Sequence, residues 1–306
     1  MSISRRGAIA GLGGALAGTW AAARLRAQKK GAGPMPRGSP PLCLFSEVLK
    51  VDYNDMGPFL GMMGFDGVEL SVQQGGHIPL EGDIDLHLER AIEAMTGSNV
   101  DVPVLSTTVT SGQSKELRTV MGWGSEMGIP IFCPGQWPNN GDGMASTVAA
   151  QREISMLDAL GHAAKMQIAV RNATPNYVGS SVADLSAAIR PFDSFVGFDF
   201  DAGFAAAYGG GNDGGLAALQ VALPRLKKVT ARDCAWATGD GGAKILKQCA
   251  LGEGMVAWPK IFAALAKARF TGPITLQVDY APKDALAAVR KDLAFLKKLR
   301  AGAYGG

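Results

Sequence analysis

Arg225–Asp233, RLKKVTARD, and Ile274–Asp279, ITLQVD, decide how this chain is read. Each is a short apolar run that ends in polar and charged residues, and a glycine-bearing loop follows the first. Working outward, six earlier segments have the same build. They are LCLFS (Leu42–Ser46), GVELS (Gly67–Ser71), VPVLSTT (Val102–Thr108), IPIFC (Ile129–Cys133), QIAVRN (Gln167–Asn172) and FVGFDFD (Phe195–Asp201). Stretches of helical period stand between them, as in DIDLHLERAIEAM, where Ile84, Leu88, Ile92 and Met95 make one apolar stripe. Further helices are expected near 55–63, 115–126, 144–164, from Ser180 or Ser181 onward, and over 258–268 and 282–299. The segments AYGGGNDGG and CAWATGDGGAKILKQCALGEGMV read as connections. Eight strand–helix alternations in one chain predict a single closed parallel (β/α)8 barrel, the TIM-type architecture, over residues 42–306. In that architecture the polar strand ends converge on one mouth, and function is sought there.

At 306 residues and 47% hydrophobic side chains, the chain can fill one large core, and nothing calls for a second domain. The formal charge of +3 hides an asymmetry: six of the thirty basic residues and none of the 27 acids lie in the first thirty positions. The remainder therefore carries about −3, which argues against a nucleic-acid partner or an anionic membrane surface. Residues 1–30 place Arg5 and Arg6 before a Gly/Ala-rich apolar run, SRRGAIAGLGGALAGTWAAA, and resemble a twin-arginine export signal, although Ala8, Ile9 and Ala10 depart from its usual pattern. The run is short and glycine-rich for a membrane span. Residues 31–41 read as a linker, and the mature barrel is expected in the periplasm. The cysteines Cys43, Cys133, Cys234 and Cys249 have no C-x-x-C spacing. They are read as buried thiols, with a Cys234–Cys249 disulfide as the alternative in an oxidising compartment.

Strand alternation selects the candidate site residues. Asp199 and Asp201 share a face, and two carboxylates in an apolar strand need to pair, coordinate or catalyse. Glu69 is a polar exception between Val68 and Leu70. Arg171 and Asn172 close QIAVRN, Thr230 and Arg232 share a face before Asp233, and Gln277 shares one with Asp279. For Asp201 the structural alternative is an ion pair with Arg171 or Arg232; for Arg171 it is neutralising Asp201. His77, in the loop GGHIPL, either reaches the mouth as a ligand or acid/base group or packs the loop. His87 and His162 fall within or at the end of helices and read as structural. Glu253 reads as a brace of the turn in LGEGMV.

The segments FDGVELS, GGHIPLEGDIDLHLERAIEAM, QIAVRN, VGFDFDAGF, VTARDCAW, LGEGMVAW and GPITLQVDY together resemble the xylose isomerase-like barrel superfamily, which includes sugar phosphate isomerases and epimerases and the apurinic endonucleases. The resemblance implies a divalent metal held by Glu, Asp, His and Glu at the ends of strands five to eight, with the two Glu residues moving the proton beside a carbonyl. In this chain those positions are Arg171, Asp201, Thr230 and Gln277, so Asp201 alone is retained, and the His that commonly follows the Asp is Phe204. Asp279, two residues beyond Gln277, offers a substitute carboxylate. An arginine at a ligand position adds a repelling charge, which leaves at most a weakly held metal and the cofactor open.

The expected function is that of a sugar isomerase/epimerase-like protein acting on a carbohydrate or polyol at the barrel mouth. Glu69, Asp201 and Asp279 are its candidate catalytic residues, and His77, Arg171, Asn172, Arg232, Gln277 and Trp137 its candidate binding residues. Trp137, Tyr177 and Trp236 are loop aromatics suited to a sugar face or to anchoring loops. The alternatives are a non-catalytic periplasmic carbohydrate-binding barrel and a metal-independent lyase or hydrolase. The endonuclease branch is disfavoured, because its zinc cluster draws on more histidines than the three present here.

Overall fold

The structure, a computed structural model, describes residues 38–280, 282 and 284–305. The expected export segment and most of the linker lie outside the described residues. In chain order the elements are β1 (Leu42–Phe45), α1 (Tyr53–Met63), β2 (Gly67–Val72), α2 (Ile84–Gly97), β3 (Asp101–Thr107), α3 (Lys115–Glu126), β4 (Ile131–Cys133), α4 (Gly143–Ala164), β5 (Gln167–Arg171), α5 (Val182–Ile189) and β6 (Val196–Asp201). They continue with α6 (Ala202–Gly209), α7 (Gly211–Ala222), β7 (Leu226–Ala231), β8 (Asp233–Thr238), β9 (Lys244–Cys249), α8 (Trp258–Lys267), β10 (Ile274–Leu276) and α9 (Ala285–Tyr304). Eight strands close in the order β1-β10-β7-β6-β5-β4-β3-β2, every pairing parallel. The expected (β/α)8 barrel is present.

Alternation along each strand sorts the core into two regions. Val196, Phe198 and Phe200 of β6 join the helix-facing core with Leu42, Leu44, Val68, Leu70 and the inner faces of the helices. Val104, Ile131, Cys133 and Ala169 form a separate apolar cluster. Glu69 and Lys228 are fully buried and in contact, although β2 and β7 are not neighbours, so they meet through the barrel interior. The interior is thus apolar beside β3, β4 and β5 and ionic across β2, β5, β6 and β7.

Two connections differ from the sequence reading. The glycine run AYGGGNDGG falls within two helices, α6 and α7, broken at Gly210 and Gly211, whose φ values of +97° and +82° suit glycine. Its glycines serve close packing: a Cβ at Gly214 would lie 1.7 Å from the carbonyl oxygen of Gly209. Gly214→Ala is therefore expected to destabilise the barrel by about 1–3 kcal/mol, outweighing the ~1 kcal/mol helix-propensity gain of alanine. Gly122→Ala, at an exposed helix position where a Cβ meets nothing within 4 Å, should stabilise instead. Urea midpoints of the two variants check the opposite signs.

The second difference is the long connection after β7, which contains an antiparallel hairpin, β8 with β9, pairing Cys234 with Gln248 and Trp236 with Leu246. Its base is held by Asp233, whose carboxylate accepts from Gly252 N at 2.9 Å, Val256 N at 3.1 Å and Trp258 Nε1 at 2.9 Å. All four cysteines are free thiols. Cys234 and Cys249 sit at adjacent, offset ladder positions whose side chains point to opposite faces of the hairpin. Glu253 braces its turn against Lys291 of α9.

Candidate functional site

At the centre of the barrel a four-membered ion cluster joins β2, β5, β6 and β7. Lys228 Nζ lies 2.6 Å from Glu69 Oε2 and 3.0 Å from Asp199 Oδ2. Arg171 sends Nε to Asp199 Oδ2 at 2.6 Å, Nη2 to Glu69 Oε1 at 3.3 Å and Nη1 to Gln277 Oε1 at 3.4 Å. The Thr230 hydroxyl donates to Asp199 Oδ1 at 2.7 Å. Two cations and two carboxylates balance. For Asp199, Lys228 and Arg171 burial opposes the charge, but the partners overrule it. Arg171, Lys228 and the Thr230 hydroxyl hold the Asp199 pKa down at about 2, while Asp199 and Glu69 push those of Lys228 and Arg171 up.

A second cluster stands beside it at the ends of β6, β7 and β10. Arg232 Nε is 3.0 Å from Asp201 Oδ2, and its Nη1 is 2.7 Å from Asp279 Oδ2. Its guanidinium also lies 4.4 Å from the centroid of the Phe204 ring. Asp201 is the N-cap of α6, accepting from Phe204 N at 3.0 Å. Burial raises the pKa of Asp201, with Arg232 opposing. Asn172 serves this strand end: its Oδ1 accepts from Asp201 N at 2.8 Å, and its Nδ2 donates to Asp201 O at 3.1 Å. With its amide oriented to match its neighbours, Gln248 of the hairpin donates to Asp279 O and accepts from Arg232 Nη1.

A cavity of about 270 Å³ opens above the first cluster, on the β1–β5 side of the mouth. Arg171 and Asp199 form its charged wall, Ser71, Gln73, Ser106, Thr107 and Gln136 supply polar groups, and Phe45 and Tyr177 supply aromatic ones. The Ser106 hydroxyl is buried without a hydrogen-bond partner among the described residues. Loops over this side are tied together: Val178 N donates to Trp137 O at 2.8 Å, and the buried Trp137 donates its Nε1 to Thr110 O at 3.2 Å.

The sequence candidates therefore divide. Glu69, Arg171 and Gln277 come together in the first cluster, and Asp201, Arg232 and Asp279 in the second; of these six, Arg171 alone lines the cavity. Asp201 pairs with Arg232, one of the two partners its structural alternative named, whereas Arg171 neutralises Asp199 and Glu69 and not Asp201. Trp137 anchors a loop. His77 pairs with Glu47 at 3.4 Å, which lowers the Glu47 pKa against the effect of burial. His87 meets the Tyr53 hydroxyl at 3.0 Å. His162 pairs with Asp158 and Asp193 and stacks on Phe195, just before β6 and so at the opposite end of the barrel from the mouth. Lys228 and the hydroxyls of the cavity were not among the candidates. Alternation puts Lys228 on the face of Thr230 and Arg232, but its burial depends on Glu69, which the local sequence does not show.

The divalent metal that the family resemblance implies does not fit these residues. The four strand-end positions are Arg171, Asp201, Thr230 and Gln277, and the Arg171 guanidinium bonds Gln277 among them. Thr230 is committed to Asp199, and Asp201 to α6 and Arg232. A positive group already occupies the place where a cation would bind, and Asp201 Oδ2, which has no hydrogen bond among the described residues, faces the Arg232 guanidinium at 3.0 Å.

The xylose isomerase domain protein from Planctomyces limnophilus is structurally similar at TM-score 0.67 and 16% identity, covering 88% of this chain and 100% of its own. The 3-keto-D-glucoside 4-epimerase YcjR of E. coli superposes at TM-score 0.66 and 13% identity, over 85% of this chain and 99% of its own. A D-psicose 3-epimerase from Clostridium cellulolyticum H10 does so at 0.65 and 11%, over 85% and 99%. At these identities the likeness is one of fold. No curated protein sequence matches the chain. A family model described as xylose isomerase-like TIM barrel matches residues 61–299, and the chain belongs to that family.

Proposed function

We propose that this protein is a sugar isomerase/epimerase-like barrel that takes a small carbohydrate or polyol in the cavity beside Arg171, and that it does so without a divalent metal. The observation that carries the reading is the unpartnered Ser106 hydroxyl, buried in a cavity walled by hydroxyls, amides and one guanidinium. A buried hydroxyl without a partner is costly, and a ligand hydroxyl would relieve it. Arg171 adds donors: its bonds to Asp199, Glu69 and Gln277 use three of the five N–H groups of a guanidinium, and its side chain is 18% exposed. The fold neighbours that carry sugar epimerase names agree with this ligand class. Export to the periplasm through residues 1–30 is part of the proposal, as is the absence of a nucleic-acid partner.

Binding without turnover is the form that the charges favour. Proton abstraction beside a carbonyl needs a carboxylate able to accept a proton. Glu69 and Asp201 are both fully buried and out of a ligand's reach, Glu69 between Lys228 and Arg171 and Asp201 against Arg232 and the start of α6. One observation favours an isomerase reading: Asp279 is 27% exposed and, among the described residues, pairs only with Arg232, which it shares with Asp201. In that reading the ligand reaches from the cavity to the second cluster, where Asp279 is the base, and Arg171 steadies the developing oxyanion.

Calorimetry with a panel of free aldoses, ketoses and polyols, with chelator present, tests the proposal. Binding of at least one is expected, and none binding would refute it. Ser106→Ala should weaken that ligand about two- to tenfold while leaving the free protein as stable or more so, since the unpaired hydroxyl is gone. Solvent deuterium entering the carbon beside the ligand's carbonyl would mark the isomerase form, and binding without exchange the non-catalytic one.

A further inference from the structure

One face of the β8–β9 hairpin carries Cys234, Trp236, Leu246 and Gln248, because directly paired residues of an antiparallel ladder point the same way and alternate residues share a face. At the hairpin base this face looks onto the mouth: Gln248 bonds Arg232 and the Asp279 carbonyl, and Cys234 Sγ contacts Gly203 O. Farther along it carries Trp236, which is 43% exposed although it sits on a structured hairpin. Trp236 meets Tyr208 edge-on, with centroids 6.0 Å apart and planes at 82°. Tyr208 is one turn of α6 beyond Phe204, at 6.3 Å, and Phe204 lies under Arg232. A row of three aromatic rings therefore runs from the ion cluster at the mouth out along the hairpin.

We infer that Trp236, with Tyr208 beside it, is a second carbohydrate subsite, taking a further ring of a glycoside or oligosaccharide whose first unit sits at the mouth. The inference rests on the carbohydrate reading above and extends it from a single sugar to a longer ligand. An edge-on contact leaves a face of the indole open, and the apolar C–H face of a sugar ring is the complement of such a surface, its hydroxyls remaining in water or reaching Gln248. The patch is one exposed indole beside a half-buried tyrosine, far below the ~800 Å² per partner of a stable protein interface. Gln248, Arg232 and Phe204 tie the patch to the second ion cluster, which stands beside the Arg171 cluster at the mouth, and this favours an extension of the same ligand.

The test compares glucose and galactose with methyl glucoside, maltose, cellobiose and lactose by calorimetry, in the intact protein and in Trp236→Ala. Trp236 is exposed, so the variant should fold, which its thermal transition checks. At least one glycoside or disaccharide should bind roughly tenfold more tightly than its monosaccharide, and Trp236→Ala should remove that advantage while leaving the monosaccharide within twofold. The longer ligand should also shift tryptophan emission in the intact protein but not in Trp236→Phe. Equal affinities for long and short ligands, or equal losses for both in Trp236→Ala, would overturn the subsite while the single-sugar reading stands. A change of sedimentation in Trp236→Ala would likewise overturn it, assigning the patch to self-association. Failure of every sugar to bind the intact protein would remove both.

Discussion

Replacing Lys228 with methionine lowers the stability of this barrel by about 3–5 kcal/mol, the usual consequence of removing one partner of a buried ion pair. Lys228 is fully buried and touches two carboxylates that are themselves fully buried, Glu69 and Asp199. Without it, two negative charges face the single guanidinium of Arg171 in a medium that cannot solvate the excess. Methionine fills most of the volume, so loss of charge balance, not a cavity, dominates. The double variant Glu69→Gln/Lys228→Met restores neutrality around Asp199 and Arg171. It should recover about 2–3 kcal/mol relative to the sum of the single changes. Urea midpoints of the wild type, the two single variants and the double variant give the coupling directly. Should Lys228→Met fail to fold, folding of the double variant reports the same physics. Additive losses would show that the lysine acts through packing alone.

The same residue shows where sequence reading reached its limit. The barrel was legible because parallel strands with both faces covered leave short apolar runs, and eight of them recur between helical periods. The mouth was legible because Glu69, Arg171, Asp201, Arg232 and Asp279 interrupt those runs at corresponding places. Lys228 lies near the start of RLKKVTARD, where a lysine reads as a solvated lower rim. What buries it is Glu69, brought across from a strand 159 positions earlier. Pairing was equally hidden: alternation says which side chains enter the barrel but not which of them meet. It therefore could not separate a cluster under a cavity from a second cluster beside it. The glycines of AYGGGNDGG misled for a physical reason, since glycine marks both turns and places where two helix backbones nearly touch, and here only Gly210 and Gly211 turn the chain. The hairpin, by contrast, left a sign in its own sequence: the turn signal GDGG lies between two short runs, AWAT and KILK, as a turn lies between the strands of a hairpin.

Acid should expose the cost of the central cluster in a defined window. Asp199 is held at a pKa of about 2 in the folded protein, against ~3.9 for an unfolded aspartate. For a depressed carboxylate the contribution to stability is fully present above the unfolded value and disappears as pH falls through the folded one. Asp199 therefore contributes stability that is fully present above roughly pH 5 and is lost between there and about pH 2. The physical event is the neutralisation of one of the two anions that hold Lys228 and Arg171 together, which leaves two buried cations facing one remaining carboxylate. Asp201 works in the opposite sense. Its pKa is raised by burial, so the folded chain retains that proton more readily than the unfolded one, and acid relieves part of its penalty. The slope observed in the wild type is thus smaller than that of Asp199 alone. Asp201→Asn removes the opposing contribution while leaving an N-cap of nearly equal quality, and should steepen the acid limb. Asp199→Asn should start from lower stability at neutral pH and show a flattened limb. Urea midpoints measured from pH 7 down to 2.5 for the three proteins separate these slopes. An Asp199→Asn variant that loses stability with acid as steeply as the wild type would move the origin of the limb elsewhere, to Glu47 beside His77 in the first instance.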